Sequence, residues 1–521
     1  MKVSTHKVNV YRYTTIKNGT PVVKFSNIYE TDNEQTPILS FYGISEKDPN
    51  SIPVYEHENK VDGSLIYSAS NSLEEGWNNK RVAFYASSIE YSHLTELDVF
   101  SVKGGLKEVY MTAPSNMFDS QAASRLSPKE VVRLKTSQPF FIETIDKGKW
   151  MEQSTNIHGK LLRNICLPSA HDAGTSQLQD IKTTDNGDDL AGFLNSIKKI
   201  GDDIAATGIG IIIDIPLFLS DNLFGLIKGL GRTQSQTIYE QLKGGIRGLD
   251  IRVYYYEPTD TFYTYHGCLG EKLDNVLDDI VSFSRETNGE IIYLSFSHFY
   301  HVDTAELKRR VTDNVRNKLG SYTFKKTTPL MSPLEQTYSD IVNQGVSGTK
   351  LIITYPDYTE ASDEIFWTSS QIGLSGRYSN KNNVKEMIAG QIAQYNIAVA
   401  ANKPFELSMT LTPQESDVYE RVAGSLAGPL AVAALPVALI PIYGWGILAA
   451  VETLCAALAI YNAALSWRTL EELVRQLNPS LSSLVNANFV PEKGSNIISV
   501  MWVDFYETSG AVDTAITLSG R

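Results

Sequence analysis

From residue 246 onwards, apolar strand-like runs alternate with helix-patterned segments, and this alternation limits the fold more than any other feature of the chain. Strands are expected at 246–253, 291–296, 351–355, 405–411 and 496–505, and helices at 273–285, 303–319, 383–401 and 469–477. A repeated strand, helix, strand order implies parallel strands joined by crossovers, an α/β architecture. The segment 273–285 shows the pattern plainly. Leu273, Val276, Leu277 and Ile280 recur at helical spacing and form a core-facing stripe.

Polar groups collect at the downstream ends of the strands. The stretch LPSAHDAGT, 167–175, places His171 and Asp172 side by side where an apolar run ends, and Pro168 with the small residues after it reads as a turn. Alone, such a pair is more often a surface turn than a catalytic pair. On 246–253, Asp250 and Arg252 share one face, because alternate residues of a strand point the same way. A further strand, 261–267, ends in His266, and 290–300 ends near His298. In barrel enzymes this end of the strands carries the chemistry.

Four ordered motifs resemble one family. PSAHDAG at 168–174, QSQTIYEQLKGGIRGLDIR at 234–252, His266-Gly267 and IIYLSFSHFY at 291–300 are similar to motifs of the X domain of phosphatidylinositol-specific phospholipases C. The likeness is greatest to the small X-domain-containing type and its metal-independent bacterial relatives, and it runs from about residue 156 to residue 505. It implies a (β/α) TIM-like barrel, slightly irregular, and a phosphoric diester lyase. Phosphatidylinositol-type lipid in a membrane would be cleaved to diacylglycerol and inositol 1,2-cyclic phosphate, with the ring's own 2-hydroxyl as nucleophile.

The resemblance also implies roles. His171 is the general base and His266 the general acid, and histidine suits both because its ordinary pKa lies near operating pH. Arg252 neutralises charge on the phosphoryl oxygens, two of which a guanidinium can contact at once. It stands where calcium-dependent relatives place a second acidic ligand and would repel calcium, so no metal and no other cofactor is expected. Asp504 either orients His171 through its ring N–H or caps the last strand. Asp172 either pairs with Arg252 or His266 or is a turn carboxylate. Asp250, His298, Tyr355 and Tyr506 are the candidate substrate contacts. The two tyrosines, like Trp367, would stack on an inositol ring, although barrel-end aromatics serve core or rim packing as readily. His298 follows Ser297 where bacterial enzymes have a headgroup-binding lysine, and a structural role for it stays open.

Upstream, residues 1–115 read as an all-β module of three repeats. Gly19 and Gly63 are 44 residues apart, Gly63 and Gly105 are 42 apart, and the pairs Phe41-Tyr42 and Phe84-Tyr85 are 43 apart. Hairpins at Asn18-Gly19 and Asp62-Gly63 fit that period. Three copies favour a β-trefoil-like module, for which a carbohydrate or surface ligand, or plain packing, is expected by analogy of fold. Residues 116–150 read as a connector with a helical piece near 128–135, and 151–521 as the barrel domain with apolar inserts at 189–232 and 422–467.

The second insert contains 30 residues, 422–451, without a charged side chain. About 20 apolar residues suffice for a span, but Pro429, Pro436 and Pro441 break this run, so a hairpin that enters a bilayer, docks on it or packs on the barrel is expected. A membrane-acting, toxin-like protein and a phosphodiesterase for another cyclisable diester are the rival readings. The formal charge of −13 argues against nucleic acid as a partner. Three cysteines, Cys166, Cys268 and Cys455, fit neither a disulfide framework nor a zinc site. The start MKVSTHKVNV has no signal-peptide pattern, so a cytoplasmic protein, or one exported without a classical signal and peripherally bound to membranes, is expected.

Overall fold

The computed structural model describes the strands and several turns between residues 7 and 144, and residues 145–183, 228–356, 363–414, 469–489 and 496–520. The body of the first insert and the whole of the second lie outside the described residues, as do the turns at Asn18-Gly19, Asp62-Gly63 and Gly105. The chain divides into two compact units, Met1–Asp146 and Lys147–Arg521.

The first unit is antiparallel and repetitive. Its strands are β1 (Lys7–Lys17), β2 (Thr20–Ser26), β3 (Ile38–Ile44), β4 (Ser51–Asn59), β5 (Leu65–Ser68), β6 (Trp77–Ser87), β7 (Thr95–Gly104), β8 (Lys107–Pro114), β9 (Val131–Leu134) and β10 (Phe140–Thr144). The first strand of each third pairs with both strands that follow it: β1 with β2 and β3, β4 with β5 and β6, β7 with β8 and β9. Those first strands begin at Lys7, Ser51 and Thr95, two successive steps of 44 residues. Each third sends apolar side chains to one core, among them Phe41, Phe84 and Leu97. β10 pairs with β3, β6 and β7.

The supposed connector needs correcting. Residues 116–150 contribute β9 and β10 to this sheet, and the stretch expected to be helical near 128–135 contains the strand Val131–Leu134. Two β-branched valines and a waiting edge on β7 decide the matter against local helical spacing.

The second unit is built on parallel strands: β11 (Leu167–Ala170), β12 (Gly248–Tyr256), β15 (Ile291–Tyr300), β16 (Lys350–Thr354), β17 (Phe366–Trp367), β18 (Phe405–Met409) and β19 (Ile498–Val503). They lie in the order β17-β16-β15-β12-β11-β19-β18, and every neighbouring pair is parallel. Just downstream of β17, Ser375 forms a parallel bridge with Phe405 on β18. One short segment thereby touches both ends of the sheet and curls it into a barrel-like form. β13 (Thr261–His266) and β14 (Cys268–Lys272) extend β12 as an antiparallel ribbon.

Helices cover the sheet. Helix α1 (Ile238–Lys243) starts at a capping box in which Thr237 and Glu240 satisfy each other's backbone N–H groups. Helix α2 (Leu273–Glu286) buries Leu273, Val276, Leu277, Ile280 and Phe283, the stripe legible in the sequence. Helices α3 (Ala305–Leu319), α4 (Val384–Ala400) and α5 (Ala511–Gly520) are the other long members of the described set, beside shorter ones such as Leu470–Val474 and Leu481–Asn488.

The upstream ends of the strands are closed by a buried ion pair. Arg247 and Glu290 are both fully buried, 2.7 Å apart. The guanidinium also donates to the carbonyls of Leu242, Ile246 and Gly148, while Glu290 accepts from the N–H groups of Met151 and Glu152. Residues 147–152 are thus tied under the sheet, with Trp150 fully buried beside them. Among the described residues no helix is long and apolar enough to cross a membrane.

Candidate active site

The site is built where β11 and β19 end side by side. The His171 N–H donates to the Val503 carbonyl, which continues the parallel ladder by one residue and points the histidine into the strand ends. Its ring Nδ1 lies 2.9 Å from an Asp504 oxygen, and its Nε2 lies 3.4 Å from Asp172 Oδ2. A carboxylate can only accept, so Asp504 fixes a proton on Nδ1.

Asp172 is the centre of the constellation. Its carboxylate is only 1% exposed and forms an ion pair with Arg252, Nε lying 2.5 Å from one oxygen. On the other oxygen it faces His171 and His266, each at 3.4 Å. Reaching this position requires a left-handed backbone, φ 44°, which an aspartate adopts at some cost. Asp250 holds the strained turn from below: its side chain accepts the Asp172 N–H at 3.3 Å and its carbonyl accepts the Ala173 N–H at 2.8 Å. Phe505, next to Asp504, is also left-handed, φ 45°.

Both strained residues are clamped by Thr233 and Gln234. Thr233 Oγ1 donates to the carbonyls of His171 and Asp172, and its own carbonyl accepts the Phe505 N–H. Gln234 is fully buried and its amide donates to the carbonyls of His171 and Val503. Asn478 Nδ2 donates to the carbonyls of Asp504 and Phe505. The sequence reading assigned none of these three a role. Gln234 opens the 234–252 motif and Thr233 directly precedes it, a signal that was available; Asn478 has no local signal at all.

Electrostatics follow from this crowding. Burial opposes a charge on His171, but the carboxylates of Asp172 and Asp504 outweigh burial and the repulsion from Arg252, raising its pKa from 6.5 to about 10. Burial pushes the Asp504 carboxyl up, and the His171 charge draws it partly back. The ring of His171 keeps 30% of its surface exposed, enough to meet a ligand.

A bulge sets the opposite wall. Ile251 pairs with Phe296 but Arg252 pairs with His298, so Ser297 is the extra residue of β15. Paired residues of parallel strands share a face, and His298 rather than Ser297 therefore stands beside Arg252. His298 is exposed, with Nδ1 3.0 Å from Ser297 Oγ.

Two expected contacts are placed otherwise. Tyr355 is buried against Phe296, Phe299 and Phe366, so neither ring face is open to a sugar. Tyr506 is buried too, and its hydroxyl bonds to Gln236 and the Glu240 carbonyl at the start of α1. Alternation explains Tyr355: Thr354 takes the Ser295 side of the sheet, which sends the next residue to the other side. Trp367 is fully buried and stacks on Phe324.

Among the described residues, His171, Asp172 and Asp250 offer ligand atoms within 4.8 Å of one another, a spacing that a metal ion could use. Arg252 Nε already occupies one Asp172 oxygen at 2.5 Å. A cation there would have to displace a guanidinium or share a carboxylate with it.

No protein-family model matches the chain. PI-PLC X domain-containing protein 2 of Homo sapiens is 39% identical over 177 residues, covering 33% of this chain and 50% of that protein. PI-PLC X domain-containing protein 3 of Bos taurus is 23% identical over 293 residues, covering 54% and 79%. A PI-PLC X domain-containing protein of Dictyostelium discoideum is 29% identical over 142 residues, covering 27% of this chain and only 20% of its own length. Of solved structures, the phosphatidylinositol-specific phospholipase C from Listeria monocytogenes superposes with a TM-score of 0.42 at 16% identity, covering 72% of this chain and 99% of that one. It is a loose likeness on which no residue role rests.

Proposed function

The chain is a relative of the PI-PLC X domain-containing proteins, and on that footing we propose that its second unit is a phosphoric diester lyase acting on phosphatidylinositol-type lipids, releasing diacylglycerol and inositol 1,2-cyclic phosphate. The observation that carries this reading is Asp172, one buried carboxylate in contact with Arg252 and facing both His171 and His266. A base, an acid and a fixed cation around one point are what an internal displacement at phosphorus requires.

In this reading His171, held by Asp504, takes the proton of the ring 2-hydroxyl as that oxygen attacks phosphorus. His266 gives a proton to the departing glycerol oxygen. Arg252 pairs with Asp172 through Nε, and its guanidinium carries five N–H groups in one plane, a geometry suited to phosphoryl oxygens. Placed as it is on Asp172, it supports a reaction that needs no metal. Asp250 steadies the turn, and His298 is the remaining candidate for contact with the headgroup. The lipid lies in a membrane surface, which the protein would meet peripherally. No ligand is proposed for the first unit.

Phosphorus NMR with phosphatidylinositol micelles in excess EDTA tests the reading. A cyclic phosphate signal from the wild type and none from His171→Ala is expected. Signal only after calcium is added would transfer the phosphate role from Arg252 to an ion at His171, Asp172 and Asp250. Silence in every condition would remove the lyase assignment.

A further inference from the structure

His171 has its partner in Asp504, but the structure gives His266 a different one. His266 closes β13, and its Nδ1 lies 2.7 Å from the main-chain carbonyl of Gly231, with Asp172 farther off at 3.4 Å. A carbonyl only accepts, so the hydrogen sits on Nδ1, and Nε2 is left as the nitrogen that exchanges a proton with the substrate. The two anchors also differ in kind. On His171 the carboxylate of Asp504 is in direct contact with Nδ1, whereas on His266 the atom in contact is a neutral carbonyl that orients the ring, and the charge of Asp172 stands 3.4 Å away.

Position 231 has room only for glycine. A Cβ there would lie 2.5 Å from the carbonyl oxygen of His266, backbone against backbone. The carbonyl of residue 231 reaches the imidazole because its own α-carbon rests on the histidine's main chain. This approach is fixed on both sides: Thr233 and Gln234 form the clamp described above, and Lys228, whose carbonyl accepts the Arg232 N–H, is paired with Asp180.

We propose that the Gly231 carbonyl is the positioning group of His266, holding the Nδ1-protonated ring so that Nε2 delivers the proton to the leaving oxygen. The proposal rests on the lyase reading for its kinetic consequence, but not for its spectroscopic one. Gly231→Ala must push one backbone off the other and lengthen the 2.7 Å contact. Misplacement on the scale of 1 Å costs about 100-fold in rate.

The test compares leaving groups in wild type, Gly231→Ala and Gly229→Ala. Gly229 lies in the same turn, and among the described residues a Cβ there would meet only the Thr469 side chain, at 3.3 Å. With phosphatidylinositol, Gly231→Ala should lose about 100-fold in kcat with KM unchanged. With a 4-nitrophenyl ester of inositol phosphate, whose oxygen departs without needing a proton, the same variant should lose less than about 3-fold. Gly229→Ala should match the wild type on both.

Nitrogen-15 NMR of the imidazoles should show Nδ1–H for His266 in the wild type and a mixture of tautomers in Gly231→Ala. Equal losses on the two substrates, or a wild-type His266 protonated on Nε2 alone, would overturn the proposal. The spectrum decides even if the variant fails to fold. A wild type inactive on both substrates but showing the Nδ1–H signature would defeat the lyase reading and leave the positioning intact.

Discussion

Replacing Asp504 by asparagine tests the catalytic side of the site most sharply. Asn keeps an oxygen that can accept from Nδ1 at the same 2.9 Å but removes the charge that holds the imidazolium. A hydrogen bond to a charged group contributes about 1.5–3 kcal/mol, and one pKa unit corresponds to about 1.36 kcal/mol. The His171 pKa, raised to about 10 in the wild type, should therefore fall by about 1–2 units in Asp504→Asn.

The general base must be neutral to act, so kcat/KM should rise with pH through the His171 pKa of the free enzyme. The variant's rising limb should sit about 1–2 units more acidic than the wild type's, while its plateau falls by a factor on the order of 10² or more, because an amide can also turn its NH₂ toward the ring and favour the wrong tautomer. The assay is a pH series of initial rates with cyclic phosphate as product, paired with a carbon-13 titration of the His171 ring that needs no turnover. A limb and a titration both unmoved would mean that Asp504 caps the last strand and leaves His171 to Asp172.

Other perturbations should read out separately. Arg252→Lys keeps a charge but loses the planar group that pairs with Asp172 through Nε and would meet two phosphoryl oxygens at once, so kcat/KM should drop by about 10²–10³; a near-normal rate would show that point charge alone suffices. Arg247→Met leaves Glu290 buried without its partner and should cost about 3–5 kcal/mol in urea unfolding, with Arg247→Met/Glu290→Met costing less than the single change. If the single variant unfolds at the wild-type midpoint, the pair does not hold residues 147–152 in place. In the first unit His57 is buried and bonds through Nε2 to the Ser70 carbonyl. Burial lowers its pKa below 6.5, so the neutral ring's contribution is complete above that pH and is lost as pH falls below it. The melting of the first unit should therefore move down with acid in the wild type more than in His57→Gln, and identical acid profiles would exclude the histidine as the cause.

The sequence by itself determined the parallel strands other than the short Phe366–Trp367, and which residues stand at their ends. Periodicity is local, and the α2 stripe and the strand carrying Asp250 and Arg252 need no distant partner to be recognised. A repeat of 42 to 44 residues in the first unit was legible for the same reason, since the first strand of each third pairs with the strand that follows it. Its last strands were not, because Val131–Leu134 is a strand only once the edge of β7 exists to receive it.

At the site the tertiary structure decided everything that depends on register or on a main-chain group. The extra residue Ser297 turns His298 to the face of Arg252, and alternation turns Tyr355 away into phenylalanine packing. A left-handed Asp172 is possible because Asp250, Thr233 and Gln234, 61 to 78 positions away in the chain, satisfy the turn. The partner of His266 is a carbonyl, and every residue has one. Only the fold could say which carbonyl arrives, since a glycine's value there lies in the side chain that it lacks.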